Sequence, residues 1–447
     1  MHKIYLTILF ILFTVNLFSQ DTLTIMSYNV ENLFDTHDDS LYNDSEYLRG
    51  GLRGWTYERY RQKLYNIAKV VAAAGEWNPP FLIGLCEIEN YNVLYELTNK
   101  TGLQNIGYKI IHYESPDARG VDVGLLYLPN KFKPVNSRPI RVQLPNTQST
   151  TRDILYASGT LTNGDTLHVF VNHFPSRLGG ELESEPRRLA VARYLREAVD
   201  SLFCINDKAK VLILGDFNDM PDNNSIVKVL GANPFSADTT QVVDRELYNI
   251  TYKFHKEGRG TYRFQQQWNM LDQIIVSGAL LHGGGKTEIL EKSTQIFSPE
   301  WLLEDDKPVG KKPFRTYIGM RYNGGFSDHL PVLLDIVLYK SDTQCIMERK
   351  SPKRIDRGLV MEAIKSMYGE EVFKQYMGKE VAYSILPEIL GDVVYSYLSE
   401  IKMKDDTLTI KVSSSPLKSN LALQKSNIIK QINNKIGCEF VENIVFL

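Results

Sequence analysis

The sequence predicts an α/β (α+β) protein in two parts, and three observations carry that expectation. Short apolar runs rich in branched side chains, at Phe81 to Leu85, Val169 to Val171, Val211 to Leu214 and Ile274 to Val276, have the length and composition of buried strands. Two long amphipathic stretches of helical period lie among them. After an apolar strand at Leu333 to Leu338 the chain turns polar from Lys340 to Arg357, then resumes with a separate pattern, as expected of 447 residues, too many for one ordinary domain.

Taken in order, the chain opens with Met1-His2-Lys3, an apolar stretch from Ile4 to Phe18, and Ser19-Gln20. That order fits a secretory signal peptide over residues 1–20 and a periplasmic or secreted protein. The apolar core is too short to span a bilayer comfortably, and no cysteine follows it closely, so neither a membrane anchor nor a lipid anchor is expected. Thr56 precedes a helix at Tyr57 to Ala74, with Leu64, Ile67, Ala68 and Val71 on one face and Gly75 as its stop. Ser184 precedes a second, Glu185 to Phe203, with Pro186 in the first turn and an apolar stripe of Val191, Leu195, Ala198 and Leu202. The main domain then runs over 21–340, a linker over 341–357, and a small α+β domain over 358–447. In the last, Asp406 to Val412 alternates as a strand, Ser413-Ser414-Ser415-Pro416 opens a long helix through Asn434, and Phe440 to Phe446 closes as a strand. Cys86, Cys204, Cys345 and Cys438 lie far apart, require no disulfide, and form no zinc pattern.

The chemistry gathers at the strand ends. Asn29 and Glu31 stand in Ser-Tyr-Asn-Val-Glu-Asn, and Glu87 in Leu-Cys-Glu-Ile-Glu-Asn. Asn172 and His173 open Asn-His-Phe-Pro-Ser-Arg, Asp216 and Asn218 belong to Gly-Asp-Phe-Asn-Asp, Asp272 opens Leu-Asp-Gln-Ile-Ile-Val-Ser, and Asp328 and His329 lie in Gly-Phe-Ser-Asp-His-Leu-Pro-Val. Any one of these fits a capped strand end or a hydrogen-bonded turn. When several strands of a sheet finish in such groups, the groups converge on one rim, as a hydrolytic site requires. Glu87 is a hard oxygen donor of the kind magnesium takes, one or two carboxylates with water and phosphate oxygens completing the shell.

These motifs resemble the endonuclease/exonuclease/phosphatase superfamily, the deoxyribonuclease I-like proteins, over about residues 22 to 340. The resemblance implies a four-layer αββα sandwich of two mostly antiparallel sheets, with the site at their common rim. It implies metal ligands at Glu31, Glu87 and Asp328, Mg2+ as the ion (Mn2+ or Ca2+ sharing the preference), and Asp216 with Asn218 orienting the attacking water. His329 would act as base or as charge at the phosphate with Asp272 fixing its tautomer, and His173 would protonate the leaving oxygen. Asn29, Asn172, Arg119 and Arg177 are expected at the substrate. Arg119 fits either a phosphate clamp or a loop arginine paired with Asp117 or Asp122, and Arg177, Arg187 and Arg188 either widen a basic rim or are solvated.

A formal charge of −2, about −3 once a leader with one lysine is lost, offers no Lys/Arg cluster for strong sequence-independent DNA binding. A local groove would have to supply it. Asn-His-Phe-Pro-Ser-Arg is most like secreted bacterial nucleases, so the first expectation is a metal-dependent phosphodiesterase of DNA or RNA. Lipid or sugar-phosphate cleavage is the second, and a non-catalytic binding protein on the same scaffold the third. The excursion between Leu271 and Asp328, with Gly283-Gly284-Gly285, Trp301 and Arg315-Thr316-Tyr317, either carries specificity or packs onto the body.

The tail resembles the DciA-like family, bacterial proteins associated with loading the replicative helicase, through Leu408 to Leu421, Leu423 to Ile436 and Asn443-Ile444-Val445-Phe446-Leu447. The tryptophan often seen upstream is replaced near Leu386 to Leu390. The resemblance implies a tail that binds protein or nucleic acid. A replication module behind a secretory leader, with Met347 heading Met-Glu-Arg-Lys-Ser-Pro-Lys-Arg, is what two joined reading frames would give.

Overall fold

The computed structural model describes residues 20–339 except 76–77, 146–149, 237–238, 240 and 282–285, together with 378 and 381–447 except 405 and 437–439. The leader before Gln20, the 341–357 linker, Gly283 to Gly285, Met347, Cys345 and Cys438 lie outside the described residues.

The strands run in chain order as β1 (Gln20–Leu33), β2 (Leu82–Ile88), β3 (Lys109–His112), β4 (Asp122–Tyr127), β5 (Phe132–Ile140), β6 (Ile154–Leu161), β7 (Thr166–His173) and β8 (Lys210–Asp216). They continue as β9 (Ala232–Pro234), β10 (Leu247–Asn249), β11 (Tyr262–Phe264), β12 (Gln267–Asn269), β13 (Asp272–Ser277) and β14 (Thr287–Ile296). The excursion holds β15 (Leu303–Asp305), β16 (Lys311–Pro313), β17 (Tyr317–Ile318) and β18 (Arg321–Tyr322), and β19 (Val332–Tyr339) follows. One sheet has the order β14-β19-β1-β2-β4-β3, the other β5-β6-β7-β8-β13-β10-β9. Most neighbours are antiparallel; β1 with β2, β7 with β8 and β9 with β10 are parallel.

The sheets pack face to face, with helices outside. Along β8, Leu212 and Leu214 join the core between the sheets, while Val211 and Ile213 join a second core beneath α3 (Glu181–Ile205), which follows α1 (Tyr57–Ala74) and α2 (Tyr91–Asn99). A strand buried on both faces reads as an unbroken apolar run, which is why these segments were legible. Gly84 of β2 marks the tightest crossing: a Cβ there would lie 1.9 Å from Leu214 Cδ1 and 3.3 Å from Val171 Cγ1.

The first helix spans Tyr57–Ala74 as the sequence predicts, with the Thr56 side chain accepting from the Arg59 N–H and Gly75 as its C-cap. The second expected helix begins earlier than predicted, at Glu181, so Ser184 lies inside it and Pro186 beyond the first turn. The cause is Arg188, wholly buried, which donates to Ser184 Oγ at 2.6 Å and to the Glu181 carbonyl at 2.9 Å and so holds the extra turn. Trp301 packs on Phe326 at 5.2 Å between ring centroids and Tyr317 is buried, so the aromatic residues of the excursion seat it against the body. Among the described residues buried Cys86 and exposed Cys204 form no disulfide.

In the tail, β20 (Leu398–Lys404), β21 (Thr407–Val412) and β22 (Asn443–Phe446) form a sheet in that order, packed with helices through Ile410, Ile428, Ile432, Ile436 and Ile444. The single long helix expected to Asn434 is two, Ser415–Leu423 and Lys425–Ile436, divided at Gln424. The closing strand starts at Asn443 rather than Phe440, because the Asn433 side chain bonds the Phe440 and Val441 N–H groups and the Val441 carbonyl and takes them out of any ladder. Among the described residues no helix is long and apolar enough to cross a membrane.

The Gly84–Leu214 contact generates a coupling. Gly84→Ala is expected to cost about 1–3 kcal/mol by overpacking and Leu214→Ala about 2–5 kcal/mol by leaving a cavity. In the double variant the glycine substitution should cost less than about 1 kcal/mol, because the clashing methyl is gone. Urea unfolding of the four proteins measures this; strictly additive losses would contradict the contact.

Candidate active site

β1, β2, β7 and β8 end at the same rim at which β13 and β19 begin, since Asp272 pairs with Asp216 across the β8–β13 ladder and Ser27 with Val332 across β1–β19. The backbone is irregular there. Of the seven described non-glycine residues with positive φ, Glu31, Asn32, Glu87 and Asn218 are four, and the β1–β2 register shifts after Asn29. Such conformations persist where the surroundings over-determine them, and they collect at functional sites. Gly215, at φ 133°, lets β8 approach β7 so closely that a Cβ would sit 1.9 Å from the Asn172 carbonyl oxygen.

Asn29 ties the two sheets together. Its amide nitrogen donates to Asp216 Oδ2 at 3.0 Å and to Glu87 Oε1 at 3.4 Å, and its Oδ1 accepts the Glu31 N–H at 3.0 Å. Glu87 Oε2 accepts the Asn32 N–H at 2.8 Å. Asp216 is buried, accepts the Asn218 N–H at 2.8 Å, and has its pKa raised to about 6, first by burial and then by Asp272, against the lowering effect of His329. Asn218 Nδ2 donates to the Phe174 carbonyl at 3.0 Å and lies 3.3 Å from Asp216 Oδ2.

The two histidines are driven in opposite directions. His329 Nδ1 lies 2.6 Å from Asp272 Oδ2, Thr261 Oγ1 donates to the same oxygen at 2.5 Å, and His329 Nε2 faces Asp216 Oδ2 at 3.9 Å. Burial alone would lower the His329 pKa, but the Asp272 and Asp216 carboxylates outweigh it and lift it well above the ordinary imidazole range. Asp272 can only accept, so Nδ1 carries its proton toward that carboxylate and Nε2 is the atom presented to the site. His173 lies with Nε2 3.8 Å from both Glu87 Oε1 and Asp216 Oδ2, and its Nδ1 is buried without a partner. Burial, then the charges of Arg152, Arg119 and His329, push its pKa well below the ordinary value, so His173 is neutral.

Arg119 is half-exposed, and its guanidinium is 3.8 Å from Asp117 Oδ1; Asp122, its other expected partner, bonds His112 and Ser115. Arg177 is committed to the loop after β8, donating to the Asn218 carbonyl at 2.7 Å and to Asn223 Oδ1 at 3.0 Å, and pairing with Glu181 at 3.1 Å. Arg188, expected as a rim or solvated charge, is instead buried with Nε 2.7 Å from Asp219 Oδ1. Asn172 reaches the rim with its Oδ1 buried and unpartnered. Glu31 accepts the Thr316 N–H at 2.6 Å, and Asp328 Oδ2 pairs with Arg315 Nη2 at 2.7 Å.

Sequence reasoning passed over Lys63, Arg152, Tyr262 and, as a site residue, Arg315. Tyr262 of the β11–β12 hairpin lies against His329 with ring centroids 4.9 Å apart, and a lone β-bridge joins the same two residues. Lys63 had a legible signal, since it falls on the apolar face of α1 beside Tyr60 and Ile67, where a cation is rare without a partner. Glu87 itself offers carboxylate oxygen, held by the Asn29 amide nitrogen and the Asn32 N–H with His173 Nε2 at 3.8 Å, and among the described residues it pairs with no lysine or arginine. That chemistry fits a hard divalent ion.

Residues 24–338 match the Endonuclease/Exonuclease/phosphatase family. The chain belongs to that family. Its two-sheet sandwich is the deoxyribonuclease I-like fold, and residues 360–446 match Dna[CI] antecedent, DciA. No curated protein sequence matches this chain. Similar solved structures include an endonuclease/exonuclease/phosphatase family protein from Bacteroides thetaiotaomicron, at 17% identity and TM-score 0.43 over 72% of this chain and 99% of that one. A D. rerio TDP2 complexed with single strand DNA product has 17% identity and TM-score 0.43 over 70% and 98%. A mannosyl-6-phosphatase from Bacteroides thetaiotaomicron has 17% identity and TM-score 0.42 over 70% and 99%.

Within this family member the Asp272–His329 pair generates a prediction. Asp272→Asn should lower the His329 pKa by about 1–3 units, since a neighbouring carboxylate favours the imidazolium by that much. His173 should stay neutral throughout. Histidine side-chain NMR titration of the metal-free protein reads both, and an unchanged His329 pKa would show that Asp272 is not what holds its proton.

Proposed function

We propose that this protein is a divalent-metal-dependent phosphodiesterase acting at the rim built from Asn29, Glu87, His173, Asp216, Asn218, Asp272 and His329, with nucleic acid, DNA or RNA, as its first substrate class. The observation that carries the reading is the contrast between Glu87, which pairs with no lysine or arginine among the described residues, and His329, which is held by Asp272 and lies with Nε2 3.9 Å from Asp216 Oδ2. Glu87 would hold the metal and His329 would meet the phosphate. Mg2+ suits the donors best, with Mn2+ or Ca2+ sharing the same oxygen preference.

A bound magnesium ion would supply Lewis-acid stabilisation of the charge that grows on the phosphoryl oxygens. The residues do the rest. Asp216, with its pKa near the working range, orients the attacking water and takes its proton at Oδ2, while the Asn29 amide keeps that oxygen aimed. His329 presents the Nε2–H of an imidazolium to the phosphate, a fixed charge that needs no reorganisation as the transition state forms. His173, whose pKa burial lowers, stands with Nε2 3.8 Å from Glu87 Oε1, placed to hydrogen-bond the leaving oxygen.

The rest of the organisation is proposed on the sequence: a leader over 1–20 and a periplasmic or secreted location from the apolar run Ile4 to Phe18, and a tail at 358–447 that binds protein or nucleic acid. A lipid phosphodiester is the second substrate class.

Hydrolysis of circular DNA, RNA, bis-p-nitrophenyl phosphate, sphingomyelin and an inositol phosphate, with and without Mg2+, separates these classes. Glu87→Ala and His329→Ala are each expected to lower turnover by about 100-fold or more while the fold persists. Metal-independent turnover, or full activity in either variant, would refute the mechanism.

A further inference from the structure

Three carboxylates expected at the metal meet different partners. Asp328 Oδ2 is 2.7 Å from Arg315 Nη2, and the same guanidinium places Nε 3.6 Å from Glu31 Oε1. Arg315 therefore stands between the two carboxylates. The next two residues finish the enclosure, as the Thr316 N–H donates to Glu31 Oε2 at 2.6 Å and the Tyr317 N–H to Glu31 Oε1 at 3.4 Å. A second cation backs the group from α1. Lys63 is buried, and its Nζ donates to Thr316 Oγ1 at 2.5 Å and to the Phe326 carbonyl at 2.7 Å.

Charge counting then divides the rim. Glu31 and Asp328 are matched by Lys63 and Arg315, two negative charges against two positive, all within one set of hydrogen bonds. Among the described residues Glu87 meets the Asn29 amide, the Asn32 N–H and the His173 imidazole, and no lysine or arginine. Like charges brought together in a partly buried site repel with little screening, so a dication beside the Arg315 guanidinium is disfavoured where one at Glu87 is not.

We propose that Arg315, backed by Lys63, holds the place of a second cation between Glu31 and Asp328, so that the site takes a single divalent ion, at Glu87. The inference rests on the reading of Glu87 as a metal ligand. Arg315 is thereby a positioning residue, with its side chain one-third exposed toward the rim, fixing Asp328 beside His329. The enzyme carries in its sequence a cation that would otherwise be recruited from solution, and its activity should depend on metal concentration to first order.

The test counts ions on the full chain by Mn2+ titration, following free Mn2+ by electron paramagnetic resonance, and uses differences from wild type so that unrelated surface sites cancel. Glu87→Gln should lose one ion per chain. Asp328→Asn should lose none. Arg315→Gln should gain one ion, weaker than the first, while Arg315→Lys, which keeps the charge, should keep the wild-type count. Loss of an ion in Asp328→Asn, or no gain in Arg315→Gln with its near-ultraviolet circular dichroism intact, would overturn the proposal and leave the phosphodiesterase reading standing. No loss in Glu87→Gln would overturn both, and a gain in Arg315→Lys would show that charge is not what excludes the second ion.

Discussion

The distance between the two sheets is the constraint on which the rest of the structure depends. Glu87 belongs to one sheet and Asp216 to the other, and a single amide, Asn29 Nδ2, reaches both. That reach requires the sheets to meet closely behind the rim. They do so because Gly84 has no side chain where Leu214 crosses it, while within the second sheet Gly215 lets β8 draw against β7 just before Asp216. The geometry of the rim is thus set by packing between apolar strands, and its polar groups inherit it.

Given that geometry, electrostatics separates the two histidines. Both are buried in the same rim, and burial disfavours charge on each. His329 has carboxylates on both ring nitrogens; His173 looks on one side toward Glu87 and Asp216, and on the other its Nδ1 meets no partner among the described residues, with Arg152 and Arg119 near. The environment therefore yields one fixed cation and one neutral ring from the same residue type. Environments that push like groups apart in this way are how a site divides its roles at one pH.

Most of this rim was legible in the sequence, because its residues stand at the ends of apolar strands and a strand end is a place that periodicity locates well. Asp216 and Asn218 straddle one residue, and Asp328 and His329 are adjacent, so short peptides carried them. What was not legible has a common cause. Lys63 lies on a helix, Arg152 before β6 and Arg315 in the excursion, and each acts on the site through a partner hundreds or dozens of residues away: Lys63 on Thr316, Arg152 on Asp117, Arg315 on Glu31. The misplaced start of α3 has the same origin. Ser184 and Pro186 together look like a helix entrance, and the bonds of buried Arg188 to Ser184 Oγ and the Glu181 carbonyl, with its guanidinium anchored on Asp219, explain why the helix continues past them toward Glu181.

That last contact also accounts for the cost of the loop that carries Asn218. Asn218 sits at φ 48°, where a residue with a side chain is strained, and the following Asp219 is buried. The loop is held from three sides: Arg177 bonds the Asn218 carbonyl, Gln273 Nε2 the Asp219 carbonyl at 2.6 Å, and Arg188 the Asp219 carboxylate, whose other oxygen accepts from Ser225. A buried ion pair of this kind adds little net stability, since its attraction is spent against desolvation. Its effect is positional. With Asp219 and both carbonyls fixed, the strained Asn218 cannot relax away from Asp216, and the Asp216–Asn218 pair is rigid before any ligand arrives.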